Sequence, residues 1–232
     1  MNNRLIIATI KSWNILNANI LKDKYKDNYD ISIFTGKEEL NLEKVKEIDP
    51  EYIFFPHWSW IIPREIYENY ECVVFHMTDL PYGRGGSPLQ NLILNKVYET
   101  RISAIKVQEG MDTGRIYFKE PFYIGSGNAE EIFEKASELV FNKMIPFFIR
   151  EKPIPQEQEG DPVYFRRRKP EDSDLTKADI KNLKDIFDFI RMLDGEGYPN
   201  AFIRIGNFKI TLSEVHKKNM KLTGRFEIFD EE

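Results

Sequence analysis

Cysteine is nearly absent from this chain, with one residue, Cys72, in 232. A single thiol cannot close an internal disulfide, so the fold must rest on its core, and a cytoplasmic location is expected. Cys72 lies in an apolar run and reads as a small buried hydrophobe. Histidine is also scarce. His57, His76 and His216, with one cysteine, do not form a zinc set of ordinary spacing, and no metal is expected. No apolar run is long enough to span a membrane, and the run behind Arg4 is too short for a signal peptide. Excess positive charge is lacking too. A formal net charge of −5 argues against a general nucleic-acid binder. No G-x-G-x-x-G follows the first strand-like run, which removes the dinucleotide fingerprint. Internal repeats and low-complexity tracts are absent.

What is present suits a folded domain or one and a half. The chain is 41% hydrophobic and 13% aromatic, enough to bury a sizeable core. Apolar runs at 5–10, 31–34, 52–55 and 72–75 have the length of buried strands. Between them lie an amphipathic segment to about Tyr25 and a helix at 42–48 that Asp49-Pro50 ends. This alternation predicts an α/β fold, a mainly parallel sheet with helices on both faces. Two further strands are expected at 102–107 and 115–124. Asn128 and Glu131 form a capping box for a helix that Pro146 should kink or end. The polar, proline-rich segment 152–162 reads as a linker. It divides an N-terminal domain, 1–151, from a small α+β appendage, 152–232. The appendage should hold a helix starting at Asp174 or Thr176 and C-capped at Gly195, a hairpin at 202–212 turning at Gly206-Asn207, and one or two short strands carrying Phe226, Ile228 and Phe229.

Chemistry concentrates in residues 72–95. The apolar run ends at His76, Thr78 and Asp79, and a loop with Gly83, Arg84, Gly85 and Gly86 follows. Ser87 and Pro88 read as N-cap and first position of a helix. His76 is therefore expected at the carboxyl end of a buried strand, where open α/β sheets bind ligands. A lone histidine there is more often a satisfied structural residue. A second stretch, Met111-Asp112-Thr113-Gly114-Arg115-Ile116, offers a carboxylate in a glycine-flanked turn. A histidine and a carboxylate together can accept, hold and return a proton. The loop His57-Trp58-Ser59-Trp60-Ile61-Ile62-Pro63 is unusually aromatic, which suits a hydrophobic plug or one wall of a flat heterocycle's pocket.

The two stretches in this order resemble the folate-dependent formyltransferases, through His76, Leu80-Pro81, Arg84-Gly85, Pro88, and Asp112-Thr113-Gly114 with Ile116. The resemblance implies a Rossmann-like formyltransferase fold, N10-formyltetrahydrofolate as co-substrate, and His76 and Asp112 as catalytic residues. It also implies folate contacts by Trp60, Ile61, Ile62, Arg84, Gly85, Met111 and Asp112. The family usually has asparagine two residues before the histidine, where this chain has Val74. Asn91, Thr78 or a backbone N–H then stands in as oxyanion donor.

Within the family, the wording of these motifs, the Arg166-Arg167-Arg168-Lys169 run and the small tail are most similar to bacterial nucleotide-sugar N-formyltransferases. This implies a UDP-, dTDP- or GDP-linked 4-amino-4,6-dideoxy sugar as acceptor, in surface-glycan or pseudaminic-type pathways. Lys11, Trp13, Thr78, Arg166, Arg167 and Arg168 would contact it. The arginine run is equally readable as a solvated face. The expected partners are the sugar nucleotide and folate, with no nucleic acid and no membrane. The apolar tail strands point to a homodimer. Two alternatives stay open: a formyltetrahydrofolate hydrolase, and a non-catalytic folate or nucleotide-sugar binding module.

Overall fold

The computed structural model describes residues 3–231 and divides into two compact units. The first comprises the residues up to Arg84, Arg101–Phe122 and Glu134–Val163; the second comprises Gly85–Thr100, Tyr123–Phe133 and the chain from Tyr164. The division is thus not one cut near residue 151, because two short internal segments go with the C-terminal part.

The first unit carries a six-stranded sheet in the order β2-β1-β3-β4-β6-β7. Its strands are β1 (Arg4–Ala8), β2 (Asp30–Phe34), β3 (Tyr52–Phe55), β4 (Cys72–His76), β6 (Glu99–Lys106) and β7 (Ile116–Tyr123), with β5 (Tyr82–Gly85) outside that sheet. β2, β1, β3 and β4 are mutually parallel, and β6 runs antiparallel to β4. Leu5, Ile6, Ile7 and Ala8 are all fully buried, as a central parallel strand covered on both faces requires.

Four helices alternate with the first strands: α1 (Ser12–Tyr25), α2 (Leu42–Ile48), α3 (Arg64–Tyr67) and α4 (Pro88–Leu94). One face of the sheet packs Ile6, Ala8, Ile53, Phe55 and Cys72 against Val45 of α2 and Ile66 of α3. On α6 (Ile145–Glu151), Phe148 meets Tyr52, Phe54 and Tyr117 edge-on, with ring centroids 4.9, 5.3 and 4.6 Å apart. Each fully buried side chain of this size contributes about 1.5–3 kcal/mol. Burial pushes the Cys72 thiol pKa up, so Cys72 packs as an inert hydrophobe.

Two local expectations change. Pro146 does not end the helical run. α5 (Ala129–Leu139) passes through a π turn, Val140–Met144, into α6, with the proline in the first turn of α6, where its missing N–H costs little. The expected linker is also ordered chain. Gln156 exchanges backbone hydrogen bonds with Ile116, 2.8 Å in both directions.

In the second unit, β9 (Ala201–Ile205), β10 (Phe208–Lys218) and β11 (Lys221–Asp230) form a meander in the order β11-β10-β9. The first turn is Gly206-Asn207, as expected, with Gly206 at φ 57°. A strand at Val163–Phe165, β8, precedes two 3₁₀ turns, Pro170–Ser173 and Leu175–Lys177. The helix α7 (Leu183–Arg191) therefore starts later than expected. Asn182 is its N-cap and accepts from the N–H groups of Lys184 and Asp185. Gly195 lies beyond the C-cap, Met192; a Cβ there would strike the backbone nitrogen of Glu130. Among the described residues no helix is long and apolar enough to cross a membrane.

Candidate active site

Because β1, β3 and β4 are parallel neighbours, the loops after Ala8, Phe55 and His76 leave from one edge of the sheet. His76 is the last residue of β4. Its Nε2 lies 2.8 Å from the Gly83 carbonyl oxygen. A carbonyl only accepts, so Nε2 carries the hydrogen and donates it. That leaves Nδ1 as the nitrogen able to take or release a proton, and it lies 3.5 Å from Asp112 Oδ1. The side chains are 10% and 17% exposed, so the pair is sheltered yet reachable. β6 runs down from His76, so residues 107–115 must fold back to bring Asp112 there. Gly114 permits that return, since a Cβ on it would overlap the Lys106 carbonyl.

The turn is held by a residue the sequence reading missed. Gln158 donates from Nε2 to the carbonyls of Asp112 and Gly114 at 2.8 and 2.7 Å. Its Oε1 accepts from Arg84 Nε and Nη2 at 3.1 and 2.8 Å. One side chain from the presumed linker thus joins both motifs. Nothing in the local sequence marks it, because its partners are 44 to 74 residues away.

Backbone strain marks the same edge. Lys11, His57 and Asp112 have φ of 78°, 55° and 53°, each costing on the order of 1–3 kcal/mol for a non-glycine residue. Beyond His57, Ile61 is 93% exposed and Trp60 37% exposed. The backbone of Trp60, Ile61 and Ile62 takes no part in any turn or ladder bond among the described residues. Trp58 Nε1 is buried without a hydrogen-bond partner, and Met111, beside Asp112, is exposed. Open backbone donors and acceptors beside exposed apolar side chains fit the edge and face of a flat heterocycle.

Other expected contacts take structural roles. Trp13 is buried and meets the His57 ring edge-on at 6.3 Å, with Lys11 Nζ 5.9 Å from its ring. Thr78 is fully buried, and its carbonyl accepts from Ser103 Oγ. Neither side chain is presented to an acceptor.

Asn91, Gly85 and the arginine run belong to the second unit. The Asn91 amide donates to the carbonyls of Gly86, Ser87 and Arg166 at 2.9, 3.0 and 3.0 Å. An amide so committed is a brace, not a ready oxyanion donor. Ser87 does not cap its helix; its Oγ accepts from the Arg168 N–H. Gly85, at φ 107°, lets the Phe165 carbonyl approach where a Cβ would stand, and Arg167 packs over Gly86 in the same way. Arg166 pairs with Asp172 at 2.9 Å. Arg168 lies over Phe189 and donates to the Asp172 carbonyl, and burial lowers its pKa. The run is tied through its backbone to residues 86–91, while Arg166, Arg167 and Lys169 stay exposed and Arg168 alone is half-buried. Val74 packs against the apolar cluster on its face of the sheet, so no polar side chain occupies that position.

These features are those of an α/β domain with a histidine–carboxylate pair at the carboxyl edge of its parallel strands. A formyl transferase family model matches residues 22–145, more than half of the chain, and a model of the methionyl-tRNA formyltransferase C-terminal domain matches 170–229. A solved structure described as methionyl-tRNA formyltransferase from Clostridium thermocellum is 55% identical, with a TM-score of 0.95 over 98% of this chain and 99% of that one. The methionyl-tRNA formyltransferase of Campylobacter jejuni is 28% identical over 83% of this chain, which spans 63% of that protein. A sugar N-formyltransferase from a Shewanella species is 18% identical with a TM-score of 0.70, over 90% of this chain and 96% of that one; it shares the fold alone.

The chain belongs to the formyl transferase family, whose formyl donor is N10-formyltetrahydrofolate. The expectation of a nucleotide-linked amino sugar as acceptor is overturned, since the C-terminal match and the 55% identical relative are both of the methionyl-tRNA kind. The exclusion of a nucleic-acid partner falls with it. Net charge is summed over the whole surface and does not report how cations cluster locally.

Proposed function

We propose that the chain transfers the formyl group of N10-formyltetrahydrofolate to the α-amino group of methionyl-tRNA. The observation that carries this reading is the 55% identity and TM-score of 0.95, over nearly the full length of both chains, to a methionyl-tRNA formyltransferase. The C-terminal match over residues 170–229 supports the same acceptor.

The geometry of His76 and Asp112 fits the proton traffic. The amine nitrogen forms a bond to the formyl carbon, and the bond from that carbon to N10 breaks. The amine loses one proton and N10 gains one. His76 Nδ1 is the free base of the site, and Asp112, 3.5 Å away, stabilises the imidazolium that forms when the proton moves to it. The Gly83 carbonyl holds the ring in one orientation throughout. With Val74 at the position of the family asparagine, oxyanion stabilisation falls to a backbone N–H.

The test is transfer of labelled formyl from N10-formyltetrahydrofolate to methionyl-tRNA, with uncharged tRNA and no-acceptor controls. Acceptor-dependent N-formylmethionyl-tRNA is the expected product. Formate released at the same rate without acceptor would overturn the reading.

A further inference from the structure

The three-stranded sheet of the second unit ends on an open strand. In the order β11-β10-β9, the ten-residue β11 stands at the edge, and among the described residues no segment pairs with its outer side. Such an edge presents a row of N–H and C=O groups to any strand that fits it. Register fixes which groups face out. The Glu231 N–H donates to the Asn207 carbonyl, so Glu231 and the alternate residues before it, Phe229, Glu227 and Arg225, turn their backbone groups toward β10. Phe226, Ile228 and Asp230 turn theirs outward.

One face of the sheet is apolar up to this edge. Leu212 pairs with Phe226 and Ile210 with Ile228, and the row continues to Ala201 and Ile203 on β9. Phe226 and Ile228 are 63% and 57% exposed, and soluble monomers avoid large apolar side chains so open on an edge strand. Arg225 and Glu227 lie on the other face. Arg225 meets Glu227 at 2.6 Å and Glu214 at 3.4 Å, and Glu231 pairs with Arg204 at 2.7 Å. All five side chains are more than a third exposed, so exchanging one partner for another costs little.

The charges along β11 complement their own reverse. Laid antiparallel beside itself with Phe226 opposite Phe226, the strand sets Arg225 against Glu227 and Lys221 against Glu231, each contact twice. Gly224 falls opposite Ile228 and leaves room for it. The charged pairs take non-hydrogen-bonded positions, where side chains of paired strands are closest. Displacement by one residue sets outward backbone groups against inward ones. Displacement by two sets Arg225 against Arg225 or Glu227 against Glu227, and like charges directly opposite repel. Of the registers that pair nearly the whole strand, the one centred on Phe226 alone satisfies backbone and charge together.

We propose that two copies of this chain join edge to edge through β11, antiparallel about a two-fold axis at Phe226, so that their two three-stranded sheets become one. Phe226 of one copy exchanges N–H and C=O with Phe226 of the other. A two-fold contact needs a patch that complements itself, and here the complementarity is the strand's own, which selects a second copy over any other extended peptide. The interface lies within the second unit and does not depend on which acceptor the chain formylates.

Sedimentation velocity of the full chain across the micromolar range tests the pairing, with far-UV circular dichroism to follow folding. The wild-type chain should sediment as a dimer. Arg225→Glu and Glu227→Arg each set like charges against each other and should raise the dimer Kd roughly tenfold or more, with circular dichroism unchanged because both side chains are exposed. Mixed in equal amounts, the two variants should recover the dimer, since every charged contact across the axis is again between opposite signs. Amide exchange of the wild-type chain gives a second readout that needs no variant. The outward N–H groups of Phe226 and Ile228 should exchange slowly, and faster on dilution.

A wild-type monomer throughout the micromolar range would overturn the proposal, as would single variants that dimerise like the wild type. A mixture that stays monomeric while its components are folded would do the same. If the variants do not fold, rapid exchange at Phe226 and Ile228 in the concentrated wild-type chain would overturn it on its own.

Discussion

His76 and Asp112 are the two residues on which the proposed reaction turns, and their geometry gives them separable parts. His76→Ala removes the imidazole base at the end of β4 and should lower kcat by roughly 10²–10⁴-fold, measured with saturating donor and acceptor. Asp112→Asn keeps the side-chain shape but not the charge that stabilises the imidazolium; it should lower kcat with donor KM nearly unchanged. Val74→Asn is the inverse experiment. An amide there would lie on the same face of β4 as His76, two residues back, and should raise kcat by up to about 10²-fold as an added oxyanion donor. The gain comes with a loss of stability from burying an amide among apolar neighbours. Asn91→Ala should behave differently. It strips the Gly86 and Arg166 carbonyls of this donor, while the Ser87 carbonyl keeps the Asn91 backbone N–H, and it should destabilise the fold by about 1–3 kcal/mol in urea, while kcat changes far less than in the His76 variant.

At the scale of elements, two connections matter more than their sequences advertise. The segment after α6 looks like a linker, yet Gln158 clamps the Asp112 turn to Arg84. Gln158→Ala should reduce kcat/KM for the formyl donor about tenfold, because a displacement near 1 Å at a catalytic group has that order of effect or more. Helix α7 is anchored by Asp188, which is 2% exposed and meets Lys184, Tyr98 and Arg191. Burial alone would push its carboxyl pKa up. Those three hydrogen bonds outweigh burial and leave it below the ordinary carboxylate value. A depressed pKa in the folded state adds stability that is complete above the unfolded value of about 3.9 and is lost as pH falls through the folded value. Asp188→Asn should therefore cost about 3–5 kcal/mol near neutrality, as expected when one partner of a buried pair is removed. In urea unfolding from pH 7 to pH 3, the variant should also lose the part of the acid destabilisation that Asp188 carries.

Across the whole molecule, the runs of Leu, Ile, Val and Phe by themselves determined the parallel strands. An apolar run of strand length, bounded by turn residues, has few other homes than a covered sheet. The positions of His76 and Asp112 next to such runs were legible for the same reason, and so was the turn at Gly206-Asn207, because backbone sterics are local. Tertiary structure decided the rest. Ser87 carries the composition of an N-cap and still serves Arg168 instead, and Asn91, a candidate donor on paper, is used up on three carbonyls. The start of α7 moved to Leu183 because Asp174 accepts from Thr176 in a 3₁₀ turn rather than opening an α-helix. The role of Gln158 and the assignment of residues 85–100 and 123–133 to the second unit depend on hydrogen bonds and packing between positions far apart in the chain. Periodicity and turn chemistry act over a few residues, whereas a hydrogen bond between residues 74 apart exists only after the chain between them has folded.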